Sequence, residues 1–130
     1  MKIAIIGFGN MGQTYANSFM SSGFVGASDI LILNKTKIEE KNSFGIDFAN
    51  FYTEPNPQIF ESDILILAVK PQDFKQLASE IKAFLNPEHV VLSVMAGISI
   101  EMMQNELNVT KIVRSMPNIP TQIGEGMTVF

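Results

Sequence analysis

A short apolar run, Ile3-Ala4-Ile5-Ile6, meets Gly7-Phe8-Gly9-Asn10-Met11-Gly12 within the first dozen residues, and the residues beyond have helical periodicity. Strand, G-x-G-x-x-G turn and helix, in that order, are what a dinucleotide-binding βαβ unit requires. Gly7 permits the sharp exit from the strand, and Gly9 removes a side chain that would block a pyrophosphate. Gly12 lets the helix pack closely on the strand. The N–H groups of the first helical turn, around Asn10 and Met11, then face the phosphates with the positive end of the helix dipole behind them. A glycine-rich turn alone is often only a turn. Here the context carries the reading: a strand before, a helix after, and a polar strand end about 20 residues on.

Composition narrows the remaining classes. At 130 residues, 46% of them hydrophobic, the chain suffices for one domain that buries about two-thirds of its unfolded surface. The absence of cysteine removes disulfides, thiolate catalysis and zinc–thiolate sites together. One histidine and scattered carboxylates give no metal-ligand cluster. A net charge of −4 disfavours nucleic-acid and anionic-membrane surfaces, which need clustered Lys and Arg. The longest purely apolar run, residues 64–69, is far short of a membrane span, and the four apolar residues after Lys2 are too few for a signal peptide. The expectation is a soluble, cytoplasmic α/β domain. Its fold is the doubly wound (Rossmann) type, a mostly parallel sheet with helices on both faces, over residues 1–130.

Along the chain, a first helix over residues 10–22 carries an apolar stripe of Met11, Tyr15, Ala16, Phe19 and Met20, with Gly23 as its stop. Ile30-Leu31-Ile32-Leu33 reads as a strand covered on both faces. A short helix ending near Gly45 and a third strand over residues 47–51 follow, and Glu54-Pro55-Asn56-Pro57 is a loop. Residues 64–69 form the strongest strand, stopped by Pro71. Asp73 is positioned to cap a helix with Phe74, Leu77, Ala78, Ile81, Phe84 and Leu85 inward. His89 precedes a strand over residues 90–94 and is assigned no chemistry. Ser99 caps a helix through Leu107, and strands over residues 111–114 and 127–130 complete the pattern.

In such a sheet the ligand lies outside the carboxyl ends of the strands. After the second strand, Asn34-Lys35-Thr36-Lys37 occupies the place where an acid would bond the adenosine ribose of NAD. No acid is present there. Asn34 and Thr36 offer hydrogen bonds and Lys35 and Lys37 positive charge, which favours NADP (NADPH), with NAD as the alternative. Ala68 and Val69 leave room for a ribose and nicotinamide, and Lys70 suits a phosphate or a substrate carboxylate. Ala96 and Gly97 again place small residues at the ligand end, while Asn56 and Asn118 sit in proline-flanked loops.

Taken together, the glycine turn, Ala68-Val69-Lys70-Pro71-Gln72, Ala96-Gly97, Met116-Pro117-Asn118-Ile119-Pro120 and Gly124-Glu125-Gly126-Met127-Thr128 resemble pyrroline-5-carboxylate reductase along the whole chain. The resemblance implies hydride transfer from NAD(P)H to the cyclic imine 1-pyrroline-5-carboxylate, giving L-proline in the last step of proline biosynthesis. By position it assigns Phe8 to Met11 to the pyrophosphate and Asn34, Lys35 and Thr36 to the ribose and 2′-phosphate. Asn56 goes to the adenosine, and Ala68, Val69, Lys70, Ala96 and Gly97 to the ribose and nicotinamide. Asn118 falls in the active-site loop. No residue is assigned as catalytic, although Lys70 and Asn118 lie near the reacting centre. Two positions depart from the family pattern: Ile119 replaces a threonine, and Met95 stands where a small residue is common and would narrow the nicotinamide side. The family also carries a second, all-helical domain that builds a homodimer or higher oligomer and most of the imine pocket, so the chain is expected to supply the cofactor half and to be inactive alone. Two rivals are another two-domain NADP oxidoreductase of the 3-hydroxyacid dehydrogenase type and a non-catalytic NADP(H)-binding regulatory module.

Overall fold

The computed structural model describes residues 1–38 and 45–115. Its elements run β1 (Ile3–Ile6), α1 (Asn10–Ser21), β2 (Ile30–Leu33), β3 (Phe51–Tyr52), β4 (Ile64–Leu67), α2 (Phe74–Ile81), β5 (Val90–Ser93), α3 (Ile100–Leu107) and β6 (Lys111–Arg114). The strands form one sheet in the order β3-β2-β1-β4-β5-β6, and every pairing is parallel. This is the doubly wound order, with the direction of winding reversing between β1 and β4.

Alternation along the strands builds two cores. Ile3, Ile5, Ile30, Ile32 and Ile66 pack with Phe8, Tyr15, Ala16 and Phe19 on the α1 face. Ala4, Ile6, Leu31, Leu33, Leu65, Leu67 and Val91 pack with Phe74, Leu77, Ile81, Met103 and Leu107 beneath α2 and α3. All residues of β1 and β2 are buried, as central strands of a sheet covered on both sides must be. Each such Ile or Leu contributes about 1.5–3 kcal/mol relative to an exposed side chain.

Local signals account for the helix ends. Gly23, at φ +78°, closes α1 in the left-handed conformation that glycine adopts at little cost. The Ser99 hydroxyl accepts the Met102 N–H at 3.0 Å and caps α3. His89 lies at the opposite end of the sheet from the glycine turn. Its Nδ1 accepts the Asn86 N–H at 3.0 Å, and its Nε2 is 2.6 Å from the Phe60 carbonyl.

Three expectations change. The third strand is only Phe51–Tyr52, and residues 48–50 form a 3₁₀ turn. Asp47 starts that turn, its carboxylate accepting the Ala49 N–H at 2.9 Å, which is the local competition that keeps Asp out of strands. Asp73 does not cap α2 with its side chain. The chain enters instead through a 3₁₀ turn, Pro71–Asp73, with proline in its first turn. The strand before it ends at Leu67, so Ala68 and Val69 belong to the loop, although the Ala68 N–H still reaches the Ile6 carbonyl at 2.8 Å. The helix expected to end near Gly45, and the strand over residues 127–130, fall outside the described residues.

Candidate functional site

The carboxyl ends of β1 and β4 meet at the turn that begins with Gly7. Gly7 holds φ +99°, and a Cβ there would lie 2.8 Å from the Ala68 backbone, so the position admits no side chain on either ground. Gly12 faces back onto the same turn, where a Cβ would run into the Gly7 carbonyl oxygen. Gly9 differs from both. Its φ is an ordinary −78°, and among the described residues a Cβ there would meet nothing within 4 Å. Packing among the described residues therefore demands glycine at 7 and 12 but not at 9. What Gly9 preserves is open space at the mouth of a helix.

That helix mouth has no side-chain cap among the described residues. Gly9 is the N-cap of α1 and has no side chain to cap with, and no acidic residue occupies the first turn. The N–H groups of Asn10 and Met11 have no partner within the helix at this end, and the dipole is not neutralised locally. Asn10 is exposed and Met11 half-buried against the α1-side core.

Asn34, at the end of β2, fastens the turn from the side. Its Oδ1 accepts the Phe8 N–H at 2.9 Å, and its Nδ2 donates to the Thr36 carbonyl at 2.8 Å. Phe8 itself turns inward, edge-on to Phe51 with ring centroids 5.6 Å apart. The Asn34 amide, expected to contact a ribose directly, is thus engaged with backbone at both ends and shapes the turn and the loop at once.

A cavity of about 380 Å³ opens at this point. Gly7, Phe8 and Gly9 line it from the turn, Asn34, Lys35 and Thr36 from the end of β2, and Ala68, Val69 and Lys70 from the end of β4. Nine of the residues singled out from the sequence converge on one cleft. Its far wall was not anticipated: Thr53 and Pro55 from the loop after β3, and Asp73, Leu77 and Glu80 from the side of α2. The spacing of Asp73, Leu77 and Glu80, four and then three residues, places them on one helical face, and that spacing was the available signal.

Other expected contacts lie elsewhere. Asn56 is beside Pro55, and its Oδ1 accepts the Gln58 N–H at 2.9 Å within the loop. Ala96 and Gly97 form the exposed turn after β5, Gly97 at φ +77°, and do not line the cavity. Met95 does not narrow the cleft: it is buried among the residues beneath α2 and α3, because its position turns the side chain under the sheet. Asn118 and Ile119, with the stretches at 116–120 and 124–128, fall outside the described residues.

The route to that segment is anchored to α1. The Tyr15 hydroxyl and Ser115 Oγ lie 2.9 Å apart in the interior, 100 residues apart in sequence. Burial pushes the Tyr15 phenol above its ordinary value of 10.0, and the Ser115 hydrogen bond partly offsets the rise. Among the described residues, no three His, Cys, Asp or Glu side chains gather to hold a metal. No described helix is long and apolar enough to cross a membrane.

Comparison with known proteins agrees with this geometry. The chain is 34% identical to the pyrroline-5-carboxylate reductase of Aquifex aeolicus over 129 residues, covering 98% of this chain and 46% of that protein. A pyrroline-5-carboxylate reductase structure from Coxiella burnetii superposes with a TM-score of 0.75 at 28% identity, covering 92% of this chain and 44% of the other. The NADP-bound pyrroline carboxylate reductase of Plasmodium falciparum shares the fold at the same TM-score of 0.75 and 23% identity, covering 92% of this chain and 43% of that one. The chain thus spans about half the length of the relatives it matches. The family model described as "NADP oxidoreductase coenzyme F420-dependent" matches residues 2–97, a stretch that runs from β1 through the cleft to the turn after β5, and the chain belongs to that family.

Proposed function

We propose that this chain is the NADP(H)-binding, N-terminal domain of a reductase that converts 1-pyrroline-5-carboxylate to L-proline. The observation that carries the cofactor reading is Gly9, where, among the described residues, a side chain would fill only the open space in front of a helix N-terminus. A diphosphate fills such a space and takes its hydrogen bonds from the N–H groups around Asn10 and Met11. The residues present fit the rest of the molecule. Lys35 and Thr36 stand at the end of β2, where the adenosine ribose and its 2′-phosphate are read. Ala68 and Val69 offer a low wall at the end of β4 for the ribose that leads to the nicotinamide, and Lys70 lines the same cavity. Asn34 keeps the turn in the shape the ligand needs, and its amide retains one N–H and one lone pair at the cleft.

When bound, the cofactor supplies the hydride. The chain's part is to hold the pyrophosphate, orient the ring toward the ends of β4 and β5, and keep one face of the cleft closed. The imine reading is supported by the similarity to pyrroline-5-carboxylate reductases along the chain. Those proteins are about twice as long, and a hydride transfer requires the imine carbon to be held against the ring. We therefore assign the substrate pocket, and a homodimer with it, to residues beyond those of this cleft. These 130 residues carry no cysteine, so nothing in the domain calls for an oxidising compartment, and we place it in the cytoplasm.

Titrating the purified chain with NADPH, followed by nicotinamide fluorescence, tests the cofactor reading: saturable binding is expected, and no binding contradicts it. Incubating the chain with NADPH and 1-pyrroline-5-carboxylate tests the division of labour. No proline is expected, and turnover by these 130 residues alone would contradict it.

A further inference from the structure

The acid missing from the sequence after β2 is supplied in space by α2. Glu80 Oε2 lies 3.4 Å from Lys35 Nζ, and both side chains line the cavity that also holds Asn34 and Thr36. Gln76, one turn earlier, directs its Nε2 at the same carboxylate oxygen at 3.5 Å. The carboxylate is thus held toward the end of β2 from a different element, 45 residues further along the chain than Lys35.

We propose that Glu80 sets cofactor specificity: it competes for Lys35 with the 2′-phosphate that distinguishes NADP from NAD, and so holds down the preference for NADP. The proposal rests on the NADP(H) reading of the cleft. The Lys35 and Glu80 side chains are 60% and 35% exposed, so their pair is open to water and weak. A phosphate monoester, with about −1.5 to −2 charges at neutral pH and three acceptor oxygens, is the stronger partner for the ammonium. Once the phosphate has taken Lys35, Glu80 is left as an unpaired like charge on the same wall. NAD escapes that penalty. It presents a hydroxyl at this point, which a carboxylate can accept from, as acids at the end of the second strand do in NAD-binding folds. Glu80 therefore acts against one cofactor and is neutral or helpful to the other.

Glu80→Gln keeps the length, the helix propensity and the contact with Gln76 while removing the charge. Titration of the chain with NADPH and NADH is expected to show NADPH binding about three- to tenfold tighter in the variant, with NADH unchanged within about twofold or weaker. Placed in a Lys35→Gln background, the same substitution is expected to lose at least half of that gain on a logarithmic scale. A change of less than about twofold in the NADPH-to-NADH ratio, or a gain that survives in full without Lys35, would overturn the role of Glu80. Failure of the unaltered chain to bind NADPH would be a different result: it would overturn the cofactor reading itself, and this proposal with it.

Discussion

Asn34 Oδ1 accepts the Phe8 N–H at 2.9 Å, joining the end of β2 to the middle of the glycine turn across 26 residues. With its Nδ2 on the Thr36 carbonyl, one amide fixes both the glycine turn and the loop after β2. The glycine turn and the end of β2, two of the walls of the cleft, are tied together by a single side chain.

Asn34→Ala should therefore act on both cofactors alike. Leaving the part-buried Phe8 N–H without its acceptor costs about 1–2 kcal/mol of stability, read as a lower melting temperature. NADPH and NADH should lose affinity by similar factors, because the turn is common to both. A selective loss of NADPH would mean that Asn34 contacts the 2′-phosphate directly.

Gly12→Ala sets two effects of opposite sign against each other. Alanine in a helix interior gains about 1 kcal/mol in propensity over glycine. Its Cβ, however, would run into the Gly7 carbonyl oxygen, a backbone atom that cannot swing aside. The clash should win, with a net loss of about 1–3 kcal/mol, measured by denaturant titration. A stabilised variant would show that α1 can shift along β1 without cost.

Tyr15 predicts an alkaline limit to stability. Its phenol is held above 10.0 by burial, so the unfolded chain releases that proton first. The stabilisation is complete below pH 10 and is lost as pH rises through the raised folded value. Tyr15→Phe should cost about 1 kcal/mol at neutral pH through the lost contact with Ser115. It should also flatten the fall in melting temperature above pH 10. An unchanged alkaline slope would assign that slope to other groups.

The parts of the fold that were legible in the sequence are those in which local chemistry and burial agree. The apolar runs at Ile3–Ile6, Ile30–Leu33 and Ile64–Leu67 became the three central strands, and Ser99 and Gly23 sit where capping chemistry requires. Short or long-range features were not legible. β3 has two residues, too few for any periodicity, and the Asp and Asn before it favour a turn. Asp73 looks like a cap by type, but the proline-led 3₁₀ turn gives it another place. The partnership of Asn34 with Phe8, and that of Glu80 with Lys35, depend on which strands are neighbours. Nothing within a few residues of Asn34 indicates that its amide is already engaged.

The central claim is that the space in front of Gly9 exists for a dinucleotide, and Gly9→Ala tests it most directly. Since a Cβ there meets no atom of the described residues within 4 Å and the backbone conformation is an ordinary one, the melting temperature should stay within a few degrees of the parent, an N-cap change of this kind costing only about 0.5–1 kcal/mol. NADPH affinity, measured by titration of the same sample, should fall by about tenfold or more, as the methyl group occupies the place of a phosphate oxygen. A stable variant that binds NADPH as tightly as the parent would contradict the account.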